Sequence, residues 1–204
     1  AHSCVIATGG TSRKETGSTG DGFVWLKKLE HTIIENNFAL VPVALKDSWT
    51  KKLSGISLPE IKLTTYQNGE KQETNKGKLL FTHFGISGPS VLNMSKEVGE
   101  LLKYGEVAIM LDLFPSLDPG ALKNKLQALL IEVSNKKLKN VLGSIIPSAM
   151  TEPLLEIIKV NGDEFCHSIR HEDRIELVRL LKSIPLHAKG LLGADKAIVS
   201  SGGV

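Results

Sequence analysis

Cysteine is scarce in this 204-residue chain. Cys4 and Cys166 are its two examples and lie far apart, so no disulfide framework staples the fold. They read as free thiols of an intracellular, cytoplasmic protein. Long apolar runs are also missing: Val107-Ala108-Ile109-Met110-Leu111 falls far short of the roughly 20 residues a spanning helix needs, which excludes a helical membrane partner. There is no C-x-x-C pair, no Walker lysine motif, no G-x-S-x-G elbow and no carboxylate pair at glycosidase spacing, so hydrolysis and nucleoside triphosphate use have no support. The dinucleotide fingerprint G-x-G-x-x-G is missing too.

What is present is a chain with 41% hydrophobic residues, enough to bury a core, and a mildly basic balance with a formal charge of +3. Lysines cluster at Lys123 and Lys125 and at Lys136, Lys137 and Lys139. A solvated helix face accounts for such a cluster, and a nucleic-acid patch is the rival reading. Cys166, His167, His171, Glu172 and Asp173 suggest a metal at first sight, yet a third well-spaced ligand is lacking, so no metal is expected. His187 and Cys4 have no partner that the sequence identifies.

The most informative stretch is the N-terminal one. Val5-Ile6-Ala7-Thr8 reads as a short strand ending on Gly9-Gly10, and Gly17-Ser18-Thr19-Gly20-Asp21-Gly22 then opens a helix whose first N–H groups are free to face an anion. This is phosphate or cofactor chemistry, and the strand has no neighbours to build a βαβ unit. A second strand, Ala197 to Ser200, runs into Gly202-Gly203. Both ends read as joints to a domain outside the chain.

Between them, a helix is expected from Asp21 to near Glu30 and strands over most of 53–112. Asn68-Gly69 supplies a type I′ hairpin turn, and Lys78–Thr82 forms a strand after a polar loop. Pro89 starts a helix, Val107–Leu113 is a strand, and Asp118-Pro119 caps a helix with leucines at helical spacing. Further helices are expected near Leu138–Leu142, from Thr151 to Lys159 and from Glu172 to Lys182, with strand character returning at Leu186–Leu191. The fold class is therefore α+β, a β-barrel or strongly bent sheet interrupted by a helical bundle.

The ordered set Ala7-Thr8-Gly9-Gly10, Gly17–Gly22, Ala39-Leu40-Val41-Pro42, Leu80-Phe81-Thr82-His83-Phe84-Gly85-Ile86-Ser87-Gly88-Pro89 and Ala197-Ile198-Val199 with Gly202-Gly203-Val204 resembles the BaiN/RdsA-type flavoproteins. These are FAD-dependent oxidoreductases whose FAD domain is interrupted by a large insert. The resemblance implies that residues 1–43 and 197–204 are truncated edges of an FAD-binding Rossmann-like domain. It also implies that 44–116 with 184–196 form the barrel and that 117–183 form the helical subdomain.

On this resemblance Thr8, Gly9, Gly10, Gly17, Ser18, Thr19, Gly20, Asp21, Gly202 and Gly203 border the cofactor, and Phe84, Gly85, Ser87 and Gly88 border the substrate cavity. His83 is the candidate catalytic residue, donating a hydrogen bond or a proton to substrate. The intact protein would move hydride from NAD(P)H through FAD to an electron-poor C=C bond. Its substrate would be an RNA uridine or a small enone, and its partner the remaining FAD domain. The isolated chain should lack most of the FAD site and be inactive. An alternative is an RNA- or partner-binding module working through the basic helical region between Lys123 and Lys139.

Overall fold

The computed structural model describes residues 2–12, 14–193 and 196–204. A short helix α1 (Asp21–Lys28) leads to strands β1 (Ile34–Ala39), β2 (Val43–Leu45), β3 (Ser57–Gln67), β4 (Glu70–Thr82) and β5 (Gly85–Ser87). Helix α2 (Pro89–Leu101) and strand β6 (Ala108–Asp112) follow. Four helices come next, α3 (Pro119–Glu132), α4 (Leu138–Leu142), α5 (Ser148–Ile157) and α6 (His171–Lys182), and then β7 (Ile184–Leu191) and β8 (Val199–Gly203).

Six strands close into a barrel in the order β2-β5-β4-β3-β6-β7, each antiparallel to its neighbours. Asn68 and Gly69, at φ 52° and 81°, form the two-residue turn between β3 and β4, as type I′ geometry requires. The expected polar loop after that turn is instead the first half of β4, which runs unbroken from Glu70. Its side chains are polar on both faces of a long hairpin. The core-facing side of the barrel strands is apolar, with Ile61 and Leu63, Leu79 and Phe81, Ile109 and Leu111, and Leu186 and Ala188 recurring at period two and nearly inaccessible to solvent.

Helix α2 packs across β4, burying Val91, Met94 and Val98. Its Ser95 hydroxyl donates to the Leu92 carbonyl at 2.7 Å and accepts from the Val41 N–H at 3.1 Å, pinning the link between β1 and β2. At the edge of the same helix, Thr65 Oγ1 accepts from the Glu73 N–H (3.0 Å) and donates to its carbonyl (3.2 Å), filling an irregularity in the β3–β4 register. Glu97 Oε1 accepts from the same N–H at 3.1 Å. Burial, then the adjacent Glu73 carboxyl, raises the Glu97 pKa from 4.5 to about 7.

The helical segment lies between β6 and β7. Asp118 Oδ1 accepts from the Ala121 N–H at 2.9 Å as the cap of α3, and Leu122, Leu126 and Leu130 form its buried stripe. Helix α4 has the expected bounds. Helix α5 begins at Ser148, three residues ahead of the expected start, so that Pro153 lies within it and not in its first turn. Among the described residues no helix is long and apolar enough to cross a membrane.

One buried ion pair joins barrel to helices. Asp112, at the end of β6, is 2% exposed, and its Oδ2 lies 2.7 Å from Lys182 Nζ and 3.3 Å from Lys62 Nζ. Its Oδ1 accepts from the Phe114 N–H at 2.9 Å. Lys182, the last residue of α6, also donates to the carbonyls of Phe114 (2.8 Å) and Leu117 (2.6 Å), so its contact with Asp112 Oδ2 is one of charge and not a formed hydrogen bond.

The terminal pieces depart from expectation. Val5–Gly10 has no strand, because nothing pairs with it, and Val5 is 88% exposed. β1 and β8 form a separate two-stranded ribbon, in which Ile34 is opposite Gly203 and Ala39 opposite Val199. Of the expected 184–196 segment, residues 194 and 195 lie outside the described residues.

Two outcomes follow from the buried charges. Lys182→Met strands a buried carboxylate and is expected to cost roughly 3–5 kcal/mol in urea unfolding, part of which Asp112→Leu in the same chain should restore. Because the raised Glu97 pKa favours the protonated fold, its stabilisation is complete below about pH 4.5 and lost as pH rises through about 7. Glu97→Gln should therefore flatten the decline of the urea midpoint across that window.

Candidate functional site

The N-terminal glycine turns come together, but largely around one another. The chain folds back so that residues 8–11 lie against the start of α1. A Cβ on Gly22 would stand 2.2 Å from Thr8 Oγ1, one on Gly20 2.8 Å from Thr11 Cγ2, and one on Gly9 3.0 Å from Ser18 Oγ. Gly9, Gly17 and Gly20 all have positive φ, at 74°, 92° and 85°. The Thr19 hydroxyl donates to Asp21 Oδ2 at 2.8 Å, and Gly20 occupies the N-cap position with no side-chain acceptor for the first turn. The N–H groups of Asp21 and Gly22 have no acceptor within the helix. Gly17 has open space where a Cβ would stand, as does Gly203 on β8. Gly202 and Gly203, at φ 111° and 146°, end the ribbon that follows α1.

His83 and Phe84 are the two-residue turn of the β4–β5 hairpin, where Thr82 faces Gly85. Between the expected strand ending at Thr82 and the helix starting at Pro89 the chain thus makes a tight turn and then three strand residues. His83 is exposed, with the Phe84 ring edge-on at 4.8 Å. Gly85 and Gly88 have reasons within the barrel. A Cβ on Gly85 would meet the Val43 carbonyl at 2.3 Å, and one on Gly88 the Lys78 carbonyl at 2.8 Å. Their absence of side chain lets β2 and β4 approach β5. Ser87 is half-buried opposite Leu80.

The rim at this turn holds residues that the sequence did not point to. Leu45 N–H donates to the Phe84 carbonyl at 3.1 Å, and Lys46 N–H donates to the His187 carbonyl at 2.8 Å. His187 in turn donates its backbone N–H to Asp47 Oδ2 at 2.6 Å, and its Nδ1 lies 2.9 Å from Asp47 Oδ1. Lys46 pairs with Glu106, and that hydrogen bond holds the Glu106 carboxyl below its ordinary range. His187 therefore does have a partner, 140 positions away. No spacing rule would have found it, because barrel closure alone brings β2 to β7.

Ser87 and Gly88 stand at the Pro42 end of β2, where the linkers to β1 and β8 leave. His83 and Phe84 stand at the Lys46 end, roughly 13 Å further along at the rise of a strand.

In the helical region, His167 lies in a short turn and His171 begins α6, so the two do not share a helix face. His167 stacks on Phe165 at 5.7 Å, and its Nδ1 is 3.0 Å from the Ser134 carbonyl. Cys166 is buried, which pushes its thiol pKa up, while Cys4 is exposed, and both are free. Among the described residues no three potential ligands gather around a metal position. Lys137 and Lys139 both pair with Asp163, at 2.7 and 3.0 Å.

A closed antiparallel barrel carrying a helical excursion between its fifth and sixth strands in chain order defines the class. The chain matches the family described as HI0933-like protein barrel and H2TH domain over residues 38–199, and it belongs to that family. This agrees with the BaiN/RdsA-type resemblance of its motifs. It is 24% identical over 201 residues to the 3-dehydro-bile acid delta(4,6)-reductase of Clostridium scindens, covering 98% of this chain and 49% of that protein. It is 28% identical over 205 residues to the ribosomal RNA dihydrouridine synthase of Escherichia coli, covering 98% and 47%. The Haemophilus influenzae protein of the same name is also 28% identical, over 206 residues, with the same coverage. The chain spans about half the length of these curated relatives.

The packing around Gly85 sets an expected outcome. Gly85→Ala forces a methyl group into the β2 backbone and should cost roughly 2–4 kcal/mol. Gly190→Ala, with nothing within 4 Å of its Cβ position, should change stability by less than about 1 kcal/mol in the same urea titration.

Proposed function

We propose that this chain is the barrel-and-helix portion of an FAD-dependent oxidoreductase, covering the flavin and forming one wall of its substrate cavity. The observation that carries this reading is the distribution of apolar surface. Val5, Ile6, Val24, Trp25, Leu29, Ile34, Ile198, Val199 and Val204 are all exposed, and all belong to the segments outside the barrel. Helix α1 turns Val24, Trp25 and Leu29 outward, while the barrel and helices seal a continuous core. Tyr104, Ile131, Ile157, Phe165 and Ile175 are exposed along the much longer remainder, so it is the concentration of such side chains in the terminal segments that supports a surface covered in the working protein. Residues 1–43 and 197–204 are then edges of a Rossmann-like FAD domain, 44–116 with 184–196 the barrel, and 117–183 the helical subdomain.

Gly17 and Gly203 fit such a cofactor best, since open space lies where a Cβ would stand. The first N–H groups of α1, which have no acceptor within the helix, favour an anion, with Thr8, Gly9, Gly10, Ser18, Thr19, Gly20 and Asp21 holding the shape of that turn. Gly202 supports the neighbouring strand. Bound FAD supplies hydride, taken from NAD(P)H, to an electron-poor C=C bond. The substrate is an RNA uridine or a small enone, a reading supported by relatives named ribosomal RNA dihydrouridine synthase and 3-dehydro-bile acid delta(4,6)-reductase.

Phe84, Gly85, Ser87 and Gly88 line the barrel side of the cavity. His83, with an exposed imidazole edge-on to Phe84, is the proton donor. For substrate to meet both the joint at Ser87–Gly88 and His83, the cavity must run along β5. A binding module through Lys123–Lys139 has less support, because Lys137 and Lys139 both already pair with Asp163.

The test is an absorbance spectrum of the full-length parent and of this chain, each mixed with FAD and desalted. The parent should retain yellow flavin and this chain should not. Tight stoichiometric FAD binding by these 204 residues alone would overturn the division. In the parent, His83→Ala should slow reoxidation of reduced flavin by substrate roughly 100-fold or more while leaving flavin content unchanged. An unaltered rate removes His83 from the chemistry and leaves it part of a roof.

A further inference from the structure

A well-formed cavity lies away from the surface used above. It is a groove of about 500 Å³ between the start of α3 and the end of α6, with Pro119, Ile175 and Val178 as apolar walls and Lys123, Arg179 and Lys182 as cations. A narrower extension continues along the same two helices past Arg174 and His171. No aspartate or glutamate lines either part.

We propose that this groove binds a small amphiphile with an apolar body and a single anionic head. Its volume falls within the range of small-molecule sites, roughly 300–1,000 Å³. Ile175 is 39% exposed, an apolar side chain left open on the groove wall, and Val178 lies beside it. The cations differ in availability. Lys182 is committed to Asp112 and two carbonyls. Arg179 shares one nitrogen with Glu176 at 3.0 Å, on an exposed pair of little strength. Lys123 has no ion-pair or hydrogen-bond partner among the described residues. The α3 helix end beside Gly120 is already capped by Asp118, so the cations alone supply the attraction for an anionic head.

The combination selects its occupant. A nucleic-acid strand would use the cations but leave the apolar walls wet, and an uncharged hydrocarbon would use the walls but leave Lys123 unpaired. An amphiphilic anion satisfies both. The groove opens at Ser183, just before β7, whereas the chain leaves the barrel at Leu191. The two ends are roughly 23 Å apart along the strand. The site is therefore separate from the flavin-facing side, and neither reading depends on the other.

Calorimetric titration of this chain with sodium decanoate, below its micelle-forming concentration, tests the proposal. One decanoate should bind per chain, decyltrimethylammonium should bind at least tenfold more weakly, and Lys123→Glu and Arg179→Glu should each weaken decanoate at least tenfold. Both positions are exposed, so circular dichroism should show an unchanged fold. Ile175→Trp, which fills the groove, should abolish binding. Equal binding of the two head groups, or indifference to Lys123→Glu, would overturn the site. So would binding of oligouridylate or of phosphatidylglycerol vesicles, lost in Lys123→Glu, in a chain that ignores decanoate.

Discussion

The contact between Asp112 and Lys182 is the constraint on which the arrangement of the molecule rests. Asp112 ends the strand from which the chain leaves the barrel, and Lys182 ends the helix from which it returns. The segment between these points, residues 113–181, begins and finishes at one buried ion pair, closed further by the carbonyls of Phe114 and Leu117. A salt bridge of this kind adds little stability over an apolar contact of the same size, since desolvation offsets most of the attraction. Its consequence is specificity of register. The ammonium is satisfied only when α6 ends where β7 must start, so the helical excursion is anchored without a large interface against the barrel wall.

Barrel closure depends on a similarly local feature. β2 has three residues, too few to hold a sheet edge by themselves. It closes the ring because Gly85 admits its backbone on one side while β7 pairs with it on the other. The same short strand brings Lys46 and Asp47 to His187 and the His83–Phe84 turn. The chemically richest rim of the barrel is thus a by-product of the tightest closure in it.

Local signals were legible in the sequence. Asn68-Gly69 fixed a turn, Pro89 and Asp118-Pro119 fixed helix starts, and the leucine spacing from Leu122 to Leu130 fixed a buried face, because each depends on residues within one or two turns. The failures share one cause. Val5–Gly10 has strand composition but no partner, and a strand is a property of a pair. The His187–Asp47 contact spans 140 positions, and the β1–β8 ribbon joins the two ends of the chain, so neither leaves a periodic trace. The early half of β4 was hidden for a different reason, since Glu70–Gly77 carries no apolar side chain on either face and reads as a loop until its pairing with β3 is known.

Glycine illustrates how far residue type alone carries a functional argument. In the sequence, Gly9, Gly17, Gly20, Gly22, Gly85 and Gly88 are equivalent, six positions where a backbone must bend or come close to something. The structure separates them by what occupies the missing Cβ. At Gly85 and Gly88 it is the carbonyl oxygen of a neighbouring strand, and at Gly9, Gly20 and Gly22 it is a side chain of the facing N-terminal segment. Only Gly17 of these six has nothing there while holding a left-handed φ of 92°. A close approach explained by the protein itself makes no demand on a ligand. The case for a cofactor edge at the N-terminus therefore narrows to Gly17 and the first N–H groups of α1, set in a segment whose apolar residues face outward.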